Sequence, residues 1–345
     1  MLGRRTFLCG TAAAASLPLL DATPASAAPT VGAVLAKGMQ VPWGVAFLPD
    51  GDAIVTERPT GRVYRVFRRG GRRLIGRLQV ANDGEGGLLG CAVPPSFART
   101  RWVYFHLTRT SGSLVVRRKY VGGSLGPPHV VLDGIPYAPY HDGGRLAFGP
   151  DGMLYVSTGD AGRSDNAQDK ASLSGKILRI RPDGSVPPGN PFGNKVWSYG
   201  HRNVEGLAWD RRGRMWATEF GESTRDELNR IRPGRNYGWP NVEGGDGPGP
   251  YADPFVTWPT PECSPSGVAI AGGRAWVGAL CGESLWAVWI TGPKAGRKAR
   301  YFHGRFGRIR TVQRAPDGTL WITTSNRDGR GEPGPTDDRV IRIRI

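Results

Sequence analysis

The chain has 345 residues, including 52 Gly and 29 Pro, and carries a formal net charge of +17, with 46 Lys and Arg against 29 Asp and Glu. So much Gly and Pro, with few stretches of helical periodicity, excludes a helical bundle and points to short strands joined by many turns. The basic residues are scattered through FRRGGRR, VVRRKY, DRRGR and VIRIRI rather than gathered in one block, which argues for a solvated basic surface and against a nucleic-acid partner.

Residues 1–27 read as an export signal: a short basic head, an apolar stretch interrupted by Pro18, then small residues at Ala25 and Ala27. Arg4 and Arg5 followed by Thr6, Phe7 and Leu8 resemble the twin-arginine type, although any secretory signal has a basic head. Cleavage is expected after Ala27, leaving 28–345 as one domain outside the cytoplasm, and no later apolar run is long enough for a membrane helix.

A strand is expected near Val31 to Lys37. After it comes a repeated strand-turn-strand unit: WGVAFLPDGDAIVTER (43–58), GLLGCAVPPSFARTRWVYFHLT (87–108), GRLAFGPDGMLYVSTGD (144–160), EGLAWDRRGRMWATEFG (205–221), SGVAIAGGRAWVGAL (266–280) and RTVQRAPDGTLWITTSN (310–326). Further strands follow in GRVYRVF, SLVVRRKYV and GKILRIRPDG. Six such units at this spacing, with about four strands each, predict an all-β six-bladed β-propeller. The alternating last segment DRVIRIRI is expected to pair with the strand near Val31, so that the N- and C-terminal strands close the ring. A twisted sandwich does not predict six copies.

Cys91, in GLLGCAV, reads as a buried inert thiol. Cys263 and Cys281 flank one hairpin and are the better candidates for a bridge in an oxidising compartment, and none of the three has metal-type spacing.

Four segments carry polar residues that turn chemistry does not explain. His141 precedes one innermost strand and Asp160 ends the next. With the turn at 150–152 on the other side, an imidazole and a carboxylate meet at one channel mouth, where the acid fixes the tautomer and raises the basicity of the His. A hydrogen bond between blades would use the same residues. His201, Arg202 and Asn203 enter a strand at the equivalent place, and an Arg fork there suits a planar anion, a quinone oxygen or a salt bridge between blades. Glu222, Asp226 and Glu227 lie among Gly and Pro turns that leave carbonyl oxygens exposed, a mixture suited to calcium. Arg308 and Arg310 project to one face of a strand start, as an anion site or as an exposed basic edge.

The chain resembles the soluble sugar dehydrogenases that depend on pyrroloquinoline quinone (PQQ), the glucose/sorbosone and aldose sugar dehydrogenase group. The motifs are GEGGLLG (84–90), HDGGRL with TGDAGR, GHRN with EGLAW, DELN with RNYGWPN, and RIR with PDG. The resemblance implies a six-bladed propeller that oxidises an aldose, or a related polyol or aldehyde, at its reducing carbon and passes electrons to an external acceptor. His141 then matches the general base and Asp160 the acid that orients it. Arg202 and Asn203 match the pair on the cofactor's carbonyl oxygens, and Arg308 and Arg310 match contacts to its carboxylates. Gly221 and Glu222 stand where backbone carbonyls hold the calcium that ligates the cofactor, Glu227 and Tyr237 where a second, structural calcium lies, and Glu85 near the substrate. His201 matches no such role and reads as structural. Two positions depart from the pattern: Leu280 and Cys281 stand where some glucose-oxidising members have a lysine, and Asn326 where some have an acid. The other readings are a propeller that binds without redox turnover and a calcium-dependent lactone hydrolase.

Overall fold

The structure, a computed structural model, describes residues 28–345 apart from 246 and 248, and the expected export signal lies outside the described residues. Among them no helix is long and apolar enough to cross a membrane.

Six antiparallel sheets form the blades. Blade 1 holds Pro42–Phe47, Ala53–Glu57, Arg62–Val66 and Arg72–Arg77. Blade 2 starts with Leu88–Ala92 and Trp102–Arg109, blade 3 with Leu146–Phe148 and Leu154–Ser157, and blade 4 with Val204–Trp209 and Met215–Glu219. Blade 5 starts with Pro265–Ala271 and Arg274–Ala279, and blade 6 with Ile309–Arg314 and Leu320–Thr324. All six expected hairpins are therefore the two inner strands of a blade. Blade 6 is completed by Val340–Arg344 and, outside it, by Thr30–Ala36, whose register runs from Thr30 opposite Arg344 to Ala36 opposite Val340. The chain ends thus close the ring as the alternating DRVIRIRI predicts.

Burial falls from the axis outward. Ala53–Glu57, Leu88–Ala92 and Leu320–Thr324 are buried at every position, whereas the outer strand Lys298–Tyr301 alternates exposed with half-buried. The core is six apolar layers, one between each pair of neighbouring blades. Ile54 and Val63 meet Phe105 and Val116 between blades 1 and 2, and Trp321 and Val340 meet Val45 and Val55 between blades 6 and 1.

The repeat's small residue has a steric cause. A Cβ on Gly206 would lie 2.5 Å from the Ser266 carbonyl oxygen, and one on Gly267 2.6 Å from the Val312 nitrogen. At these two positions the inner strands of adjacent blades approach so closely that only Gly fits, whereas blades 3 and 6 carry Arg145 and Thr311 in the equivalent place. On the following strand a hydroxyl bonds across the same gap: Thr56 donates to Leu89 O at 2.6 Å, Ser157 to Val204 O at 2.7 Å, and Thr218 to Ser266 O.

The three described cysteines are free: Cys263 is buried in the layer with Trp258 and Leu228, while Cys281 is exposed. This corrects the bridging expectation. Flanking one hairpin brings the two backbones together, with Gly282 N–H donating to Cys263 O at 3.2 Å, but one cysteine packs in the core and the other faces solvent.

Candidate active site

Each inner hairpin starts and ends at the same channel mouth, so residues just before a first strand and just after a second strand converge there. A cavity of about 620 Å³ opens at this mouth, lined among others by Glu85, His141, Asp160, Arg202, Glu222 and Trp239.

His141 Nδ1 lies 2.8 Å from Asp160 Oδ1, and no hydrogen bond engages its Nε2 among the described residues. The buried carboxylate also accepts Trp239 Nε1–H at 2.8 Å and Gly162 N–H at 2.8 Å. Burial alone would push Asp160 up, but these bonds, His141's first, outweigh it and hold the group below its ordinary value. It therefore stays a carboxylate and accepts the Nδ1 proton, leaving Nε2 as the basic nitrogen. His141 adopts a left-handed backbone, φ 63°. Its N–H donates to Glu85 Oε2 at 3.0 Å, and Glu85 Oε1 pairs with Arg330 Nη1 at 3.1 Å across the mouth.

Arg202 stacks over Trp239, 5.3 Å from the ring centroid, and its buried Nε has no partner. Asn203 is fully buried; its Oδ1 accepts Gly143 N–H at 2.9 Å and its Nδ2 is unpartnered. Two buried donors without acceptors on neighbouring residues, Arg202 of which lines the cavity, fit a planar ligand with carbonyl or carboxylate oxygens. His201 is structural, as the sequence suggests: Nδ1 meets Glu219 Oε2 and Nε2 meets Ser198 Oγ, each at 2.8 Å, and the ring stacks on Tyr237.

Arg308 and Arg310 share Asp328, Arg308 Nε at 3.0 Å and Arg310 Nη2 at 3.5 Å, and Arg310 Nη1 adds Glu205 at 2.9 Å. They lie together, as their spacing implies, but on the channel side beside the larger cavity: Arg310 borders a small void with Arg58, Asp142 and Glu205. Asn326 holds this corner, accepting Arg308 N–H at 2.8 Å and donating to Asp337 at 2.9 Å. Leu280, just after the inner strand Arg274–Ala279 of blade 5, is buried, and Cys281 faces out.

Gly221 and Glu222 border the large cavity on the loop after Met215–Glu219. Asp226 caps that loop, accepting Gly221 N–H at 3.0 Å and Ser264 N–H at 2.7 Å, and burial pushes it up to about 7. Glu227 and Tyr237 border a second, small void of about 10 Å³ together with Glu219 and Glu243, room for one water-sized occupant. The Tyr237 hydroxyl is spent on Arg230 O and Arg232 N, so only its ring and backbone face Glu227. Burial, then the charge of Glu219 opposite it across the strands, pushes the Glu227 carboxyl well above its ordinary value. Crowded acids beside a void suit a cation, although among the described residues no three His, Cys, Asp or Glu side chains assemble a metal cage.

Sequence reasoning passed over Asp142, Glu205, Asp328 and Arg330. Asp142 lies inside the HDGG motif, next to the His that drew attention. It is buried with both oxygens unpartnered, and burial, then the Glu85 charge, pushes it up to about 8.

The glucose/sorbosone dehydrogenase family model matches residues 39–332. The PQQ-bound aldose sugar dehydrogenase from Streptomyces coelicolor is 45% identical with a TM-score of 0.88, covering 92% of this chain and 97% of that one. The aldose sugar dehydrogenase YliI from Escherichia coli (strain K12) is 29% identical over 86% of this chain and 90% of its own length. Quinoprotein glucose dehydrogenase B from Acinetobacter calcoaceticus is 33% identical over 61% of this chain and 52% of its own length. The chain belongs to the glucose/sorbosone dehydrogenase family of oxidoreductases.

Proposed function

We propose that the chain is a PQQ- and calcium-dependent dehydrogenase that oxidises an aldose, or a related sugar, at its reducing carbon. The observation that carries this reading is the His141–Asp160 pair, which lines a cavity together with Arg202, whose buried donor is unpartnered, as is that of the adjacent Asn203. When bound, PQQ supplies a quinone that takes up the hydride, and calcium polarises it as a Lewis acid.

This chain's own residues do the rest. His141 Nε2 accepts the proton of the anomeric hydroxyl, and Asp160 stabilises the imidazolium that forms. Arg202, over the Trp239 ring, and Asn203 would hold the quinone, and the backbone at Gly221 and Glu222 would hold the calcium that polarises it. Arg308 and Arg310 offer charge to its carboxylates from behind Asp328. Glu227 and the backbone at Tyr237 hold a second calcium at the small void. Glu85, on the cavity wall, supplies an acceptor for a sugar hydroxyl. The chain works outside the cytoplasm after loss of residues 1–27, handing electrons to an external acceptor.

The test adds PQQ and calcium to the purified protein and follows reduction of an artificial dye with a panel of aldoses. Turnover with at least one sugar is expected. No turnover with any, together with no cofactor absorbance retained after gel filtration, would overturn the reading.

A further inference from the structure

A second cavity, of about 290 Å³, lies at the other end of blades 3 and 4. Chain direction places it. His141 and Asp160 flank the hairpin of Leu146–Phe148 and Leu154–Ser157, so its turn at 150–152 emerges on the far face, and the turn at 210–213 does the same in blade 4. Residues from both turns line the cavity.

Its wall is aromatic. Tyr155 stands between two indoles, 5.8 Å from the Trp197 ring at 88° and 5.0 Å from the Trp209 ring at 63°. Both indoles are only half-buried, Trp209 at the end of an inner strand of blade 4 and Trp197 on the outer strand of blade 3. The charges at the rim are unequal in their engagement. Asp151 is neutralised, accepting Arg179 Nε–H at 2.9 Å and the Tyr155 hydroxyl at 3.1 Å, and Arg214 is paired with Asp210 at 2.6 Å. Arg230 and Arg232 flank buried Ile231 at the end of Arg225–Ile231 and are exposed, and neither guanidinium has a carboxylate partner among the described residues.

Two free guanidinium forks at alternate positions beside the half-exposed indoles of Trp209 and Trp197, the latter with Arg179 over its ring at 5.1 Å, call for a ligand with a carboxylate on an apolar-faced ring. A pyranose presents such a C–H face to Trp and Tyr rings. The enclosed volume is at the lower end for ligand pockets and matches a sugar ring with its substituents, not a protein loop or a duplex. We propose that this cavity binds a carboxylated sugar ring, a uronate, either free or as a residue of an acidic polysaccharide. The inference stands apart from the dehydrogenase reading, because the two cavities share no residue.

The test is calorimetric titration of the full chain with methyl galacturonide, which has no free reducing carbon and cannot be oxidised as an aldose. Oligogalacturonate, methyl galactoside and dextran sulfate are run beside it. Saturable binding of the uronate is expected, weakened about tenfold or more by removing the carboxylate or by Arg230→Ala with Arg232→Ala. The melting temperature and the dye-reduction rate of that variant stay at the parent values. Should the double variant fold poorly, Arg230→Gln alone keeps the comparison. Binding of the monomer supports the free acid as ligand, and binding of the oligomer alone supports the polysaccharide. Equal affinity for methyl galactoside, equal affinity for dextran sulfate with no effect of the Arg substitutions, or no binding of either uronate would overturn the proposal.

Discussion

His141 owes its place to a backbone that non-Gly residues seldom adopt, with φ 63°, pinned by its own N–H on Glu85 and its ring on Asp160. If the ring is the base, His141→Ala lowers dye reduction by about 10²- to 10⁴-fold while PQQ absorbance after gel filtration stays at the parent level. An equal fall in cofactor retention would mean that the ring serves binding instead. Asp142, one residue on, has the opposite electrostatics to Asp160. Its folded value of about 8 lies above the ordinary 3.8, so between these the folded state binds more protons than the unfolded one, and its contribution to stability falls as pH rises. Asp142→Asn removes that cost. Urea unfolding should show the variant close to the parent at pH 4 and more stable by about 1–3 kcal/mol at pH 8. A difference that does not grow with pH would mean that the Asp142 carboxyl is charged in the fold.

At the scale of elements, the contact between neighbouring inner strands decides which residues the repeat tolerates. Gly267→Ala places its Cβ 2.6 Å from Val312 N and 2.8 Å from Thr311 Cα, both on backbone that cannot swing aside. The blades must part, and the expected cost is about 2 kcal/mol or more. Gly213→Ala, in open space on the outer turn, bears only its left-handed φ of 71° and should cost about 1 kcal/mol. Thermal denaturation of the two variants checks the order. The loop after Met215–Glu219 behaves differently, since it joins the acids Glu219 and Glu227 across a strand pair with Glu243 beside them. If a calcium ion sits there, chelation by EGTA lowers the melting temperature, the ion at a hundred times its Kd being worth about 2.7 kcal/mol. Glu227→Gln should abolish most of that response. A melting temperature indifferent to EGTA in the parent would remove the second calcium from the proposal.

On the scale of the whole molecule, the ring was legible in the sequence because the blades repeat one pattern of strand, turn and alternating strand. A Gly stands at the crowded axis in four of the six (Gly44, Gly90, Gly206 and Gly267), and Arg145 and Thr311 take that place in blades 3 and 6. The His141–Asp160 pair was legible for the same reason, as the repeat fixes both ends of a hairpin at one mouth. What the repeat does not fix is how different blades meet. Glu205 reaches Arg310 from blade 4 to blade 6, and Arg330 reaches Glu85 across the mouth, at sequence separations of 105 and 245 that no local pattern records. Cys263 and Cys281 fail similarly, because spacing gives backbone proximity and not the direction of side chains. Closure itself rests on Thr30–Ala36, which covers the edge of Val340–Arg344 and packs Leu35 and Ala36 against Val45 and Val66 of blade 1. A chain beginning after Ala36 would leave that edge unpaired and strip the layer between blades 6 and 1 of two buried side chains. Such a chain should associate through the open edge and melt well below the parent, by light scattering and calorimetry, whereas removal of residues 1–29 should leave both unchanged. A monomeric truncated chain with the parent's melting temperature would show that the ring is held by its six interblade layers without the closing strand.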